Sequence, residues 1–360
     1  MYKKIFALLL VLTMVLSLGI TGCGKKVDEP KETPAPVETP EEPTVEAISV
    51  GLVTDIGGID DKSFNQGTWE GIKRFAEDTG ASTDYLQSES DTDYIPNLST
   101  FSDEAFDLIV APGFLFEDSL TEVSANFPDQ KYLIIDMVIN APNVASAVFA
   151  EEQGSFLVGV AAALKSQEAG KDTVGFIGGM DFDLIQKFEA GFEAGVKAVD
   201  PEMNVLIEYA GSFADAQKGQ TLAAKMYNEG AYVIYHAAGA TGNGLIKEAK
   251  DRATNGQEVW AIGVDKDQYE DGIYDGTKSV ILTSMMKRVD VAAYDVAEMT
   301  MKGEFPGGEI LAFTLENSGV GIPAENPNLS AEIVAKVTEF EGKVKSGEIV
   351  VPTAPVRLAQ

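Results

Sequence analysis

From Ile48 onward, short apolar runs alternate with longer amphipathic segments, and this alternation constrains the fold more than any other feature. Strand-like runs lie at 48–54, 107–111, 131–136, 144–149, 173–178, 204–210, 231–237, 259–264 and 279–284. Helix-like segments include 64–77, 152–165, 184–199, 215–228 and 288–301. Several runs are apolar without a break, which is typical of parallel strands covered on both faces. The pattern predicts an α/β fold built from βαβ units with right-handed crossovers.

The alternating segments divide into two consecutive α/β units. The first runs from about 47 to 150, and the second begins near Glu151 with its own strand–loop–helix entry at 173–192. Two such lobes leave a cleft that the strand-end loops face from both sides. Because open parallel sheets hold small ligands at the carboxyl ends of their strands, we expect a ligand in that cleft.

The stretch 48–66 is the clearest strand end in the chain. An apolar run breaks into a Gly- and Asp-rich loop, and a helical pattern begins near Lys62. The loop concentrates polar side chains close to the aromatic residues Phe64 and Trp69; they are Asp55, Asp60, Asp61, Ser63, Asn65 and Gln66. Hydrogen-bonding groups beside aromatic faces suit a small, flat, polar ligand.

Other predicted strand ends also carry charged side chains that can bind a polar ligand. Asp136 and Asp265 each end an apolar run, and Lys287 closely follows another. Ionised carboxylates accept hydroxyl hydrogen bonds, such as those a ribose diol offers. Glycines at 239, 242 and 244 allow backbone N–H groups to approach a ligand, but their order does not match the dinucleotide fingerprint, and no P-loop motif is present.

Composition excludes several classes of partner and reaction. The chain has 57 acidic and 27 basic side chains and a net charge of −30, so a nucleic acid polymer is excluded as its partner. With one Cys and one His, the chain forms no internal disulfide and lacks the residues for a Cys/His zinc site or a Cys–His nucleophile pair. His236 ends an apolar run, and we expect a structural role for it rather than a catalytic one.

Residues 1–23 have the pattern of an export signal. Lys3 and Lys4 precede an apolar run that ends at Cys23 in a sequence resembling the bacterial lipobox, where the Cys carries lipid. An uncleaved anchor helix is the alternative, and either places the remainder outside the cytoplasm on a membrane tether. Residues 24–46 are rich in Pro, Glu and Thr and predict an extended, solvated linker.

Taken together, these segments resemble the basic membrane protein family of bacterial lipoproteins, which includes purine nucleoside receptors of ABC importers. The resemblance rests on the segments 53–71, 149–163, 174–181, 188–195, 233–244, 264–268 and 283–287. It implies a type I periplasmic-binding-protein fold, with two doubly wound lobes joined by three crossings. The first lobe would contain 47–150 and about 283–306, and the second 151–282 and about 307–360.

The resemblance also implies a binding site for a nucleoside. Phe64 or Trp69 and Phe188 would stack on the base. The remaining candidates are polar or backbone contacts: Asp61, Asn65 and Asp136 from the first lobe, Gly239, Asp265 and Lys287 for the ribose, and Asp55 lining the cleft. The implied partners are a purine nucleoside such as adenosine, guanosine or inosine, an ABC permease with its ATPase, and the membrane through the lipid on Cys23. The protein would be a monomer without cofactor or metal.

Two other functions stay open at this point. The segment 54–61 is faintly similar to the calcium loop D-x-D-P-G-x-D-D of nucleoside hydrolases, but Val53 and Ile56 replace its first Asp and its Pro. A surface sensor or adhesin that binds another small polar metabolite is the other alternative, because a binding fold does not fix its role. The sequence leaves open which nucleoside is bound.

Overall fold

A computed structural model of the protein describes residues 47–358. The predicted export signal, Cys23 and the linker 24–46 lie outside the described residues. Two six-stranded sheets and a small two-stranded ribbon make up the β structure of 47–358. Within this range, no helix combines the length and the apolar character needed to cross a bilayer.

The chain up to Phe149 builds most of the first lobe. Its elements are β1 (Ser49–Val53), α1 (Phe64–Thr79), β2 (Ser82–Leu86), α2 (Tyr94–Asp103), β3 (Leu108–Pro112), α3 (Glu117–Asn126), β4 (Tyr132–Ile135) and β5 (Val144–Phe149). Strands β1, β3, β4 and β5 are almost wholly buried, which explains their unbroken apolar sequences.

The second lobe follows with its own sheet. Its elements are α4 (Glu151–Glu168), β6 (Thr173–Gly178), α5 (Asp183–Val199), β7 (Asn204–Tyr209), α6 (Ala216–Asn228), β8 (Val233–Ala237), α7 (Gly242–Thr254), β9 (Trp260–Asp265), the ribbon β10 (Ile273–Asp275) and β11 (Lys278–Ser279), and β12 (Ile281–Lys287). The chain ends with α8 (Val289–Met301), β13 (Ile310–Phe313), β14 (Val320–Gly321) and α9 (Ala331–Lys345).

Both sheets are doubly wound. The first has the order β13-β5-β4-β3-β1-β2 with all pairs parallel. The second has the order β14-β12-β9-β8-β6-β7 and is parallel except for β14. Each predicted apolar run overlaps a strand. Strand β2 was not predicted, because it is an edge strand whose sequence, STDYL, is largely exposed and polar.

The chain passes between the two sheets three times, after β5, after β12 and after β13. The family resemblance implies the second passage near Thr283, but β12 stays paired with β9 as far as Met286. The third is expected near Gly307, yet β13 joins the first sheet beside β5. Both passages lie later in the chain than expected because a few apolar residues give no sign of which sheet they join.

Helices α4 and α5 pack with their backbones in contact. A Cβ on Gly159 would lie 2.4 Å from the carbonyl oxygen of Phe192, and one on Gly195 would lie 2.1 Å from that of Phe156. Glycine alone permits this approach. The contact brings Glu151, at the start of α4, to Lys187 in the first turns of α5.

Candidate ligand-binding cleft

The carboxyl ends of the strands in both sheets face one cleft of about 570 Å³, including its mouth. Its walls contain the residues that the sequence analysis selected, with the exception of Trp69: Asp55, Asp61, Phe64, Asn65, Asp136, Phe188, Gly239, Asp265 and Lys287. Aromatic side chains beside a few convergent polar groups are typical of small-molecule sites.

Trp69 lies away from the cleft. It follows Phe64 by five residues on α1, and at 3.6 residues per turn its side chain points about 140° around the helix axis from that of Phe64. Its ring packs edge-on against Tyr85 of β2, with the centroids 5.4 Å apart. Of the two rings proposed for the first lobe, the structure therefore brings only Phe64 to the cleft.

Asp61 is the hub of the loop that leads into α1. Its carboxylate accepts hydrogen bonds from the backbone N–H groups of Ser63, Asn65 and Gln66 at 2.9, 2.8 and 3.1 Å. It accepts a fourth from the Asn65 side chain at 2.9 Å. These donors include the otherwise unpaired N–H groups of the first helical turn. Because its acceptor sites are occupied, Asp61 shapes the loop rather than offering a free oxygen to a ligand or a metal.

Asn65 links Asp61 to Asp55. Its amide nitrogen also donates to Asp55 Oδ1 at 2.7 Å, and its oxygen accepts the Asp55 backbone N–H at 3.1 Å. Asp55 Oδ1 accepts a further bond from the Gly57 N–H at 2.8 Å, while Oδ2 accepts none from the described residues. Burial, with the nearby charge of Asp61, raises the pKa of Asp55 to about 6. Asn65 thus fixes Asp55 with one oxygen free.

Lys287, the last residue of β12, lies at the centre of the site and is 2% exposed. Its Nζ pairs with Asp136 Oδ2 and lies 3.4 Å from Glu151 Oε1. Aromatic rings surround the same ammonium, with the centroids of Phe64, Phe149 and Phe188 at 5.0, 5.1 and 5.4 Å. Burial alone would lower the pKa of Lys287, but the surrounding carboxylates raise it above its usual value, so the side chain is charged.

The carboxylates around Lys287 are poorly solvated. Burial raises the pKa of Asp136 to about 6, although Lys287 opposes the shift. Burial likewise raises the pKa of Asp265 to about 7. Both residues end strands with positive φ angles of 70° and 67°, which turn their side chains out of the sheet. Asp136 Oδ1 is buried and has no partner in the described residues, so it is an acceptor available to a ligand.

The two lobes touch across the cleft. Ser63 Oγ from the first lobe donates to Asp265 Oδ2 of the second. The ring of Phe114, just after β3, lies 5.1 Å from that of Phe182 and 6.0 Å from that of Phe213 in the opposite lobe. The lobes are therefore closed over the cleft.

Three side chains that matter at this site were not among the residues predicted from the sequence. Phe114 and Phe213 line the cleft, and both follow strands within a few residues, so the strand-end rule applied to every strand would have found them. Glu151, wholly buried, bridges Lys287 and Lys187; it follows β5 by two residues, so the same rule applies to it, but its pairing with two lysines is not visible in the sequence.

Within residues 47–358, no cluster of three or more His, Cys, Asp and Glu side chains is arranged to hold a metal ion. The loop that is faintly similar to a calcium site instead satisfies Asp61 with backbone N–H groups. What the cleft offers a ligand is aromatic faces, free carboxylate oxygens and one buried ammonium.

Comparison with known proteins identifies the family. The model for Bmp, described as ABC transporter substrate-binding protein PnrA-like, matches residues 48–354. The CD4+ T-cell-stimulating antigen of Listeria innocua is 41% identical, and the alignment covers 99% of this chain and all of that protein. The ABC transporter nucleoside-binding protein BmpA of Lactococcus lactis is 39% identical over 85% of this chain and 89% of its own length.

A solved structure shows the same fold. The ABC transporter solute-binding protein from Aeropyrum pernix is 29% identical, with a TM-score of 0.76 over 85% of this chain and 94% of that one. The predicted type I periplasmic-binding-protein fold is confirmed by this likeness and by the two parallel sheets. The chain belongs to the Bmp family of PnrA-like substrate-binding proteins of ABC transporters.

Proposed function

We propose that this protein captures a nucleoside, of the purine class, by closing its lobes, and hands it to an ABC importer. One observation carries the proposal. A buried ammonium, Lys287, lies in one cleft beside aromatic rings and beside a buried carboxylate oxygen, Asp136 Oδ1, that has no hydrogen-bond partner in the described residues. A nucleoside presents a flat base and a diol, and both are matched here.

Phe64 and Phe188 are proposed to hold the base. They come from opposite lobes, and each ring lies close to Lys287 Nζ, at 5.0 and 5.4 Å. A base that enters before closure is then covered on both faces. Stacking of this kind contributes about 1–3 kcal/mol per base.

Asp136, Asp265 and Lys287 are proposed to hold the ribose. Asp136 Oδ1 accepts no hydrogen bond from the described residues, and a ribose hydroxyl supplies the missing donor. Lys287 can donate to a ribose oxygen while it stays paired with Asp136. A nucleotide fits poorly, because four Asp carboxylates line the cleft and would repel a phosphate.

The proposed location is outside the cytoplasm, anchored by a lipid on Cys23. The support is the lipobox-like sequence around the only Cys of the chain. A relative from Pyrococcus horikoshii, 34% identical over 76% of this chain, is named an uncharacterized lipoprotein. Delivery to a permease and its ATPase is inferred from the family.

Titration calorimetry tests the nucleoside assignment. The ligands are adenosine, guanosine, inosine, cytidine and uridine, with ribose, adenine and adenosine monophosphate as controls. We expect binding heat with the purine nucleosides and at least tenfold weaker binding, about 1.4 kcal/mol, of each control. Absence of heat with every nucleoside contradicts the proposal.

Asp61→Ala should weaken nucleoside binding at least tenfold, about 1.4 kcal/mol, and Asn65→Ala should do the same. The reason is loss of the loop geometry rather than of a ligand contact, since both side chains are bonded to the loop and to Asp55. For Asp61→Ala we also expect about 1–2 kcal/mol loss in the free energy of unfolding, as for a lost helix cap. Calorimetry and urea unfolding measure the two effects.

Asp60→Ala is the matched control, because Asp60 is the exposed neighbour of Asp61. It should leave affinity and stability unchanged. Equal affinity of the Asp61 and Asp60 variants would show that the loop does not depend on the Asp61 carboxylate.

The stability of the ligand-free protein should fall as the pH rises from 5 to 7. Burial raises the pKa of Asp265 to about 7, so between these pH values the folded protein holds a proton that the unfolded chain has released. Protonation therefore favours folding at pH 5, and the advantage is lost as the pH approaches 7. We expect Asp265 to contribute on the order of 2 kcal/mol to this fall.

Urea unfolding at three pH values checks this, with Asp265→Asn as the reference. His236 acts in the opposite direction, because burial lowers its pKa to about 4, but its effect cancels in the difference between the two proteins. A saturating nucleoside should flatten the dependence, since its hydroxyls stabilise the ionised carboxylate. Parallel curves for the wild type and Asp265→Asn would contradict the prediction.

A further inference from the structure

Three consecutive residues of the first-lobe loop are each bound by a different group of the second lobe. The pairs are Asn243–Asp61, Gln268–Lys62 and Asp265–Ser63. In the first two, a side-chain amide donates to a backbone carbonyl at 3.0 Å. We call these three pairs the interlobe clasp. They form only when the lobes are together, so the clasp belongs to the closed state.

Gln268 is the most tightly fixed member of the clasp. It is wholly buried, and its Oε1 accepts hydrogen bonds from the Val264 backbone N–H and from His236 Nε2, both at 3.0 Å. A backbone N–H can only donate, so the oxygen must face Val264. The NH₂ group is therefore aimed at the Lys62 carbonyl, across the boundary between the lobes.

His236 helps to fix this orientation of the Gln268 side chain through its hydrogen bond to the amide oxygen. Burial lowers its pKa to about 4, so the ring is neutral, and Nε2 carries the hydrogen because it faces the Gln268 oxygen. Nδ1 is buried without a partner in the described residues. A Cβ on Gly242 would lie 2.0 Å from Nδ1, so the start of α7 confines the ring. Among the described residues, the hydrogen bond to Gln268 is therefore the one polar contact of the His236 ring.

The acceptor of Gln268 is a strained residue. Lys62 has φ = 61°, a conformation that non-glycine residues rarely adopt. Its Nζ also pairs with Asp271 of the second lobe at 3.1 Å. Loss of the Gln268 bond would free Lys62 to relax and would shift Phe64, which follows two residues later.

We propose that Gln268, oriented by His236, is the positioning residue that fixes the first-lobe loop in the closed state and so sets how long a ligand stays in the cleft. The statement about residence time rests on the proposed nucleoside binding. The statement about the loop does not, because the clasp contains no ligand atom.

Two measurements test the proposal on the variants Gln268→Met and His236→Phe, with Gln257→Met at an exposed position as the matched control. Stopped-flow binding of a purine nucleoside should show dissociation about fivefold faster in Gln268→Met, as loss of one hydrogen bond predicts, with association within twofold of wild type. Hydrogen–deuterium exchange of segment 57–66, measured with both proteins saturated with the nucleoside and therefore closed, should accelerate at least threefold in Gln268→Met. If Gln268 only stabilised the fold, its substitution would not raise the dissociation rate constant while leaving the association rate constant nearly unchanged.

The double variant decides whether His236 acts through Gln268. It should dissociate no faster than Gln268→Met alone, and additive effects would overturn the role of His236.

Unchanged dissociation and unchanged exchange in Gln268→Met would overturn the whole proposal. If the wild type binds no nucleoside, the proposed function fails, and exchange in the protein as purified, with the ligand that it retains from the cell, decides this inference. Gln268→Glu, which keeps the size but places an oxygen against the Lys62 carbonyl, replaces Gln268→Met if that variant does not fold.

Discussion

Lys287→Met should greatly weaken nucleoside binding and lower the free energy of unfolding by about 3–5 kcal/mol, the cost of removing one partner from a buried ion pair. Asp136 and Glu151 would both remain buried without their common cation. The rings of Phe64 and Phe188 would also lose the ammonium near their faces. We expect affinity to fall by more than a hundredfold, or about 2.8 kcal/mol.

Calorimetry and urea unfolding measure the two effects, and the pH dependence identifies their cause. The stability loss should shrink from pH 7 to pH 5, since burial already raises the pKa of Asp136 and a proton can then replace the missing cation. Lys302→Met is the matched control, because Lys302 is half-exposed and pairs with Glu298 one helical turn earlier, within the first lobe. An exposed pair contributes about 0–1 kcal/mol. Affinity of Lys287→Met within threefold of wild type would remove Lys287 from the site.

Phe188→Ala should also weaken nucleoside binding, by about 1–3 kcal/mol, the contribution of stacking on one base. Phe188 lines the cleft beside Lys287, but it is also 3% exposed and part of the core. A loss of stability of about 3–5 kcal/mol is therefore expected in addition.

Phe192→Ala separates these effects, because Phe192 lies one helical turn further on and packs against Phe176 and Tyr235, away from the cleft. It should lose similar stability but keep its affinity, when both variants are titrated at a temperature at which they are folded. Equal affinities would mean that Phe188 is a core residue without a role in stacking.

Much of the site was predictable because parallel sheets gather the ends of their strands. Asp55, Asp136 and Asp265 each follow an apolar run, and the topology of the fold places such residues at one edge. Lys287 was found by the same rule. Trp69 does not reach the cleft, because its proximity in sequence to Phe64 does not place it on the same helix face.

The roles within the site were less predictable. Asp61 and Asn65 have the composition of ligand contacts, yet their polar atoms are bonded to the loop itself. Competition between backbone N–H groups and a ligand for one carboxylate depends on distances of a few tenths of an ångström, which residue type does not encode. The partners of Glu151 and Gln268 were not predicted, because each side chain reaches a group far away in the chain.

The sequence by itself determined the doubly wound α/β class, the two lobes, the family resemblance and the strand ends that face the cleft. These follow from hydrophobic periodicity and local motifs, which are properties of neighbouring residues. Only the tertiary structure decided that β12 stays in the second sheet, that Glu151 bridges two lysines and that Gln268 reaches the Lys62 carbonyl. Each of these contacts joins residues far apart in the chain. Such contacts depend on how the helices and strands pack, which a local sequence pattern does not show. Residues 61–63 illustrate this difference. Their sequence predicts a polar loop, but their hydrogen-bond partners in the opposite lobe can be seen only in the folded molecule.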